Sequence, residues 1–253
     1  MTAVKFTATR LASTGKKGVL KPDENGYYTM PVGGLNAFNS VGDYYTLEGA
    51  RELFSSSSLF MKRVQNGALK AEVGHPQMEK GQSMDDYIDR ILRIDDNNVC
   101  GHFSEIWLDE GFGKKYPEYK NPQLCAIMAK VKPSGLKAKV LTDMFEDPLQ
   151  NPCFSIRALT RDYFNRGQKF RVLNTIVTFD QVNMPGISHA TKWSSPALES
   201  DVMIPASKES LQKIISLPTF VATEDSRQLA QEALNRLNTP FKMPKDSPIY
   251  HKW

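Results

Sequence analysis

The chain has 253 residues, 40% of them hydrophobic and 24% charged, with a net charge of +4, the balance of a soluble protein with one ordinary core and room for a tail. No apolar run is long enough for a membrane span, the amino terminus lacks a signal-peptide pattern, and no Lys/Arg block is interleaved with aromatics. The expectation is an intracellular protein with no membrane and no direct nucleic-acid role.

In chain order, VKFTATRL is the first β segment. In MPVGGLNAF, Gly33-Gly34 lacks a phosphate-loop lysine and reads as a turn. TLEGARELF has helical spacing, whereas SLFMKRVQ and ALKAEVG read as two strands joined by Asn66-Gly67, a hairpin signal. SMDDYIDRILRI is an amphipathic helix behind a Ser83 cap. NVCGHFSEIWL and LCAIMAKV are strands separated by GKKYPEYKNPQ, which reads as a solvated loop. GLKAKVLTDMFED is helical, and CFSIRAL and FRVLNTIVTFDQV complete a mostly β protein. After Pro185 the chain turns Ser- and Pro-rich and then carries two short helical segments, SKESLQKII and SRQLAQEALNRL. The expected division is a domain over 1–190 and a tail over 191–253.

Within NPCFSIRALTRD, Ser155 interrupts an apolar strand. A two-residue turn at Gly167-Gln168 would fold the next strand back so that Ser155 faces Asp180, with Arg157 beside them on a polar face and Phe154, Ile156 and Ala158 on an apolar one. A hydroxyl and a carboxylate on one face need only an imidazole to complete a nucleophile, a base and an orienting acid. The histidines are His75, His102, His189 and His251. His75 stands out because Gly74 and Pro76 constrain the backbone on both sides of it. Cys100, Cys125 and Cys153 form no CxxC pair, and Cys100-Gly-His102 on one strand reads as core rather than as a metal pair or thiol nucleophile. No metal or cofactor is expected.

The order EVGHP, NVCGHFSEIWLD, CFSIRAL and TFDQVNMPGISHA resembles the prohead (procapsid) maturation proteases of large tailed bacteriophages. In the T-even type the matching segments read G-E-L-x-H-P, V-S-H-x-I near a Trp, G-I-S-S-R-G and F-D-x-V. The composition is most similar to proteases of giant phages of the phiKZ kind, which are similar in turn to herpesvirus assemblins. The resemblance implies an α+β fold, a mostly antiparallel β-barrel surrounded by helices.

Carried over by residue, the resemblance makes Ser155 the nucleophile of a serine protease, His75 its general base and Asp180 the third member, with the assemblin arrangement offering His102 instead. Cys153, Ile156 and Ala158 depart from the family's glycines and second serine, which bears on the oxyanion hole. Arg157 and Arg161 are the candidates for binding a substrate carboxylate, with the Arg157 N–H as an oxyanion donor in the other reading. The phiKZ-like proteases resemble one another in cutting after glutamate in Ser/Ala/Gly-x-Glu, and every glutamate of the tail fits: Glu199, Glu209, Glu224 and Glu232. That implies self-cleavage of the tail, with capsid scaffold or core proteins and the major capsid protein precursor as further substrates. It also implies a homo-oligomer acting inside the prohead, in the host cytoplasm. The alternative is a non-catalytic, tail-tube-like structural protein on a related barrel.

Overall fold

The computed structural model describes residues 4–12, 22–39, 41–147, 149–183, 205–206, 208–217 and 222–238. In chain order the strands and helices are β1 (Val4–Ala12), β2 (Tyr28–Leu35), β3 (Ala37–Phe38), β4 (Tyr44–Tyr45), α1 (Leu59–Gln65), β5 (Lys70–Glu72), α2 (Met84–Leu92) and β6 (Val99–Asp109). They continue with α3 (Phe112–Lys115), β7 (Cys125–Pro133), α4 (Ala138–Glu146), β8 (Cys153–Asn165), β9 (Gln168–Val182), β10 (Pro205–Ala206), α5 (Lys208–Ser216) and α6 (Glu224–Asn238). None of the described helices is long and apolar enough to cross a membrane.

The strands form a six-stranded sheet, β10-β1-β8-β9-β4-β3, and a four-stranded sheet, β2-β7-β6-β5. Pairing is antiparallel except between β4 and β9. Hydrogen bonding thus runs in two sheets rather than around one continuous barrel, and a parallel bridge from Val73 to Gln181 links them at the end of β5. Period-two alternation puts Phe154 and Ile156 of β8 and Phe179 of β9 into the core between the sheets, with Phe103 and Ile127 opposite. Gly33 is part of this packing rather than a turn: β2 continues through it past an irregularity between Pro31 and Gly33, and a Cβ there would come within 3.1 Å of Ile127 and 3.3 Å of Phe179.

The opposite face of β8 and β9 is closed by helices. Leu159 and Val177 share a second core with Tyr87, Ile88, Ile91 and Leu92 of α2 and with Leu211, Ile214, Leu229 and Ala233 of α5 and α6. The expectation of an appended tail is therefore corrected for its described part, because β10 pairs with β1 and the two helices supply one wall of a core. Leu229→Ala should cost about 2–5 kcal/mol. Chemical denaturation of the full chain checks this, and an unchanged midpoint would mean that α6 contributes nothing to the folded body.

Two other expectations change. SLFMKRVQ is helix α1, started by Ser58, whose side chain accepts from the Met61 N–H, and ended by Asn66 with Gly67 at φ 66°. The Asn-Gly signal was real, but it closes a helix with a left-handed residue instead of a hairpin. The loop GKKYPEYKNPQ contains the end of α3 and buries Tyr119 against Phe112 and Leu124. By contrast, Ser83 caps α2 as its sequence suggests, accepting from the Asp86 N–H.

Candidate active site

The register that brings β8 and β9 together at Ser155 has an unexpected history along the hairpin. The turn is Arg166-Gly167, both at positive φ (47° and 80°), with Asn165 opposite Gln168. That lies one position earlier than Gly167-Gln168 and alone would set Ser155 opposite Thr178. Two bulges, between Arg157 and Ala158 and between Leu159 and Thr160, each add a residue to β9 and restore Ser155 opposite Asp180. The offset appears as Ala158 opposite Ile176, not Val177.

His75 reaches this pair because β5 ends beside β9. The Gly74 N–H donates to the Gln181 carbonyl at 2.6 Å, Gly74 turns at φ 71°, and the Tyr87 hydroxyl of α2 donates to the Pro76 carbonyl at 2.9 Å. Held on both flanks, the imidazole spans the two strands. Its Nδ1 lies 2.7 Å from Asp180 Oδ2 and its Nε2 lies 2.7 Å from Ser155 Oγ. An ionised carboxylate only accepts, so Nδ1 carries the proton and Nε2 is left to accept from the Ser155 hydroxyl. This is the tautomer that a general base requires. Ser155 and Asp180 are fully buried, while the His75 side chain is 10% exposed and borders a cavity of about 460 Å³.

Behind Asp180 lies a charged chain that sequence reading missed. Arg157 donates from one nitrogen to Asp180 Oδ1 at 2.8 Å and Glu72 Oε1 at 2.7 Å, and from another to the Ile91 and Arg93 carbonyls at the end of α2. Arg90 grips Glu72 from the other side, and the Asp95 N–H donates to Glu72 at 3.0 Å. Burial alone would raise the Glu72 carboxyl, but the Arg157 charge and these hydrogen bonds outweigh it and hold the group down to about 2. Arg157 is wholly buried and shifts the other way: burial works against its charge, and Asp180 and Glu72 more than restore it. The available signal was Glu72 itself, a lone carboxylate in the apolar strand ALKAEVG three residues before His75.

These contacts correct the roles expected of both arginines. The Arg157 guanidinium is committed to protein carboxylates and carbonyls, and has no exposed face for a substrate. Its main chain pairs with Ala8 of β1 on one side and Thr178 of β9 on the other, beside the irregularity between Arg157 and Ala158. Arg161 is six residues beyond Ser155 along β8, about 20 Å from it, and lines another cavity with Glu52, Glu232 and Arg236.

His102 lies elsewhere too. Its Nε2 donates to the Gly67 carbonyl at 3.1 Å and its Nδ1 accepts from the Tyr27 hydroxyl at 3.0 Å, a fully used structural imidazole on β6. Burial pushes the Cys100 thiol up to about 12, which removes it as a nucleophile. Of the glutamates expected to mark self-cleavage, Glu209 and Glu224 sit in the first turns of α5 and α6. Glu232 lies within α6, its carboxyl raised by burial and paired with Arg236. Glu199, His189 and His251 lie outside the described residues.

The chain is similar to known proteins in sequence and in fold. The sequence pattern of the peptidase S80 family matches residues 6–240. The capsid maturation protease of Pseudomonas phage phiKZ is 38% identical over 194 residues, which cover 75% of this chain and 69% of that protein. Among solved structures, the capsid assembly protease of bacteriophage T4 aligns with a TM-score of 0.49 at 10% identity, over 71% of this chain and 98% of that one.

Proposed function

The chain belongs to the peptidase S80 family, and from that premise we propose that it is a phage capsid maturation protease working through Ser155, His75 and Asp180. The observation that carries this reading is a single imidazole hydrogen-bonded at one nitrogen to a buried carboxylate and at the other to a hydroxyl. As Ser155 Oγ attacks the scissile carbonyl, its proton passes to His75 Nε2, and Asp180 stabilises the imidazolium. The same proton then goes to the leaving amine. Water hydrolyses the acyl ester with His75 again as base. Because Ser155 is buried, a peptide gains access only by local opening beside the exposed edge of His75.

The substrates in this reading are capsid scaffold or core proteins and the capsid protein precursor, cut after Glu in Ser/Ala/Gly-x-Glu inside the prohead by a homo-oligomer. The same specificity directed at its own chain would remove the C-terminal segment. Glu209, Glu224 and Glu232 are helical, so cutting there requires α5 and α6 to open first, since a protease binds extended backbone. Membership in a peptidase family leaves the tail-tube-like alternative without a supporting observation.

A glutamate side chain needs a cation. The cavity beside His75 is lined by Arg90, Arg93, Gln82, Glu79 and Asp95. Arg90 is committed to Glu72, whereas among the described residues the Arg93 guanidinium has one long contact, 3.4 Å to Asp89. Arg93 is therefore the seat we assign to the substrate carboxylate. Arg93→Gln should lower kcat/KM for a glutamate-containing peptide by roughly 10- to 100-fold, mostly through KM, the loss of one hydrogen bond to a charged group. Arg161→Ala should leave it unchanged. Steady-state kinetics on such a peptide decides, and the reverse ranking would move the carboxylate seat to the other cavity. The test of the function itself is whether cleavage depends on Ser155, as set out in the Discussion.

A further inference from the structure

The buried chain Arg90, Glu72, Arg157, Asp180 does more than satisfy its own charges. Asp180 has two oxygens, and the structure divides them between two partners: Oδ1 accepts from Arg157 and Oδ2 accepts from His75. Without a donor at Oδ1 the carboxylate would be free to rotate about its Cβ–Cγ bond, and the His75 hydrogen bond would lose its fixed direction. Arg157 cannot rotate away either, since its other nitrogen is bonded to the Ile91 and Arg93 carbonyls, where the end of α2 offers acceptors and the negative pole of a helix. Glu72 shares with Asp180 the same Arg157 nitrogen and is itself held by Arg90, Asn98 and the Asp95 N–H.

We propose that Glu72 and Arg157 are positioning residues for the triad, Arg157 aiming Asp180 at His75 and Glu72 setting how much of Arg157's positive charge Asp180 feels. This rests on Ser155, His75 and Asp180 being the catalytic set. Neither residue touches the substrate, so their effect reaches the reaction through the protonation of His75.

The sign of that effect follows from Coulomb's law in a buried site. Among the described residues, the charged or titratable groups around His75 and Asp180 include Glu72 on β5, Arg90 and Tyr87 on α2, Arg93 just past its end, Arg157 on β8, Cys100 on β6, and Glu79 and Asp95 on the cavity wall. Burial raises both Tyr87 and Cys100, so these two stay neutral near pH 7. Removing the charge of Arg157 leaves Asp180 unopposed and favours the imidazolium. Removing the charge of Glu72 leaves Arg157 unopposed and disfavours it. The two substitutions therefore move the acidic limb of the pH–rate profile in opposite directions, which a purely structural role would not do.

The experiment uses the full chain and follows the labelling of Ser155 by a fluorophosphonate as a mass shift between pH 5 and pH 9. It compares wild type, Arg157→Gln, Glu72→Gln, Arg90→Gln and the double variant Glu72→Gln/Arg157→Gln, with folded fraction checked for each. Arg157→Gln should move the acidic limb up by on the order of one pH unit, Glu72→Gln should move it down by a similar amount, and the double variant should return close to wild type. Arg90→Gln, which frees Glu72, should move it up by less. In peptide hydrolysis Arg157→Gln should lower kcat with KM within twofold of wild type. If Arg157→Gln does not fold, opposite shifts in Glu72→Gln and Arg90→Gln still decide. Limbs that stay at the wild-type position, or that all move the same way, overturn the proposal. Wild-type protein that hydrolyses peptides without labelling at Ser155 would overturn the catalytic set itself, and this inference with it.

Discussion

Ser155→Ala should give a folded chain that hydrolyses peptides roughly a million-fold more slowly than wild type, the loss seen when a serine nucleophile is deleted from a working triad. The substitution removes one hydroxyl and its hydrogen bond to His75 Nε2, which sits between β8 and α2 and not in the inter-sheet core. Its cost in stability should be only about 1 kcal/mol. The measurement is twofold: kcat/KM on a peptide containing Ala-x-Glu, and the intact mass of the purified full-length chain. Wild type should lose C-terminal mass with ends at Glu199, Glu209, Glu224 or Glu232, and Ser155→Ala should keep residue 253. Glu199→Gln should spare the first of these bonds while the later ones are still cut. Full activity in Ser155→Ala would end the serine-protease reading. Fragments with other ends would leave the nucleophile standing but refute cleavage after glutamate.

Asp180→Asn should cost about four orders of magnitude in kcat, on the pattern of triad acids replaced by their amides, and the neighbouring Arg157 explains why it should be this severe. Arg157 only donates, so an amide at position 180 would turn its oxygen toward Arg157 and its NH2 toward His75. Nδ1 must then accept, the ring proton moves to Nε2, and the nitrogen facing Ser155 no longer acts as a base. Stability should fall as well, by about 3–5 kcal/mol, because a buried guanidinium loses one of its two carboxylates. Activity is therefore to be normalised to folded protein from a denaturation curve. His102→Ala, whose imidazole serves Tyr27 and Gly67, should change kcat less than fivefold once the same correction is made, since it touches neither Ser155 nor His75 among the described contacts. If His102→Ala were the more damaging of the two, the third member would have to be reassigned.

A comparable division runs through the specificity of the site. The strand alternation around Ser155 correctly grouped Arg157 with Ser155 on one face, yet a shared face says nothing about what a long side chain meets beyond it. The guanidinium turns back to Glu72, Asp180 and the carbonyls of α2, and the cation we propose for the substrate carboxylate, among the described residues, is Arg93, at the end of a helix whose sequence pattern concerned only its apolar stripe. Helical periodicity predicted α2 well because a cap and an apolar stripe are properties of adjacent residues. The roles we propose for Arg93 and Glu72 depend on groups brought in by other elements.

What the sequence by itself determined is the local physics: the β-reading of β6 to β9, the Ser83 cap, the polar face carrying Ser155 and Asp180, and a histidine fixed between glycine and proline. What only the tertiary structure decided depends on competition between distant segments. SLFMKRVQ reads as a strand by composition but becomes α1 because Phe60 and Val64, one helical turn apart, both reach the inter-sheet core. The carboxyl-terminal helices read as an appendage, since nothing in their own residues names the face of α2 and β8 that they cover. The pairing of Ser155 with Asp180 shows the limit most sharply. Counting from a turn one residue out of place reached the right partner because two bulges in β9 offset the error. A bulge relieves the twist and packing of a whole sheet, so its position is set by neighbours many residues away and leaves no reliable mark on the strand that contains it.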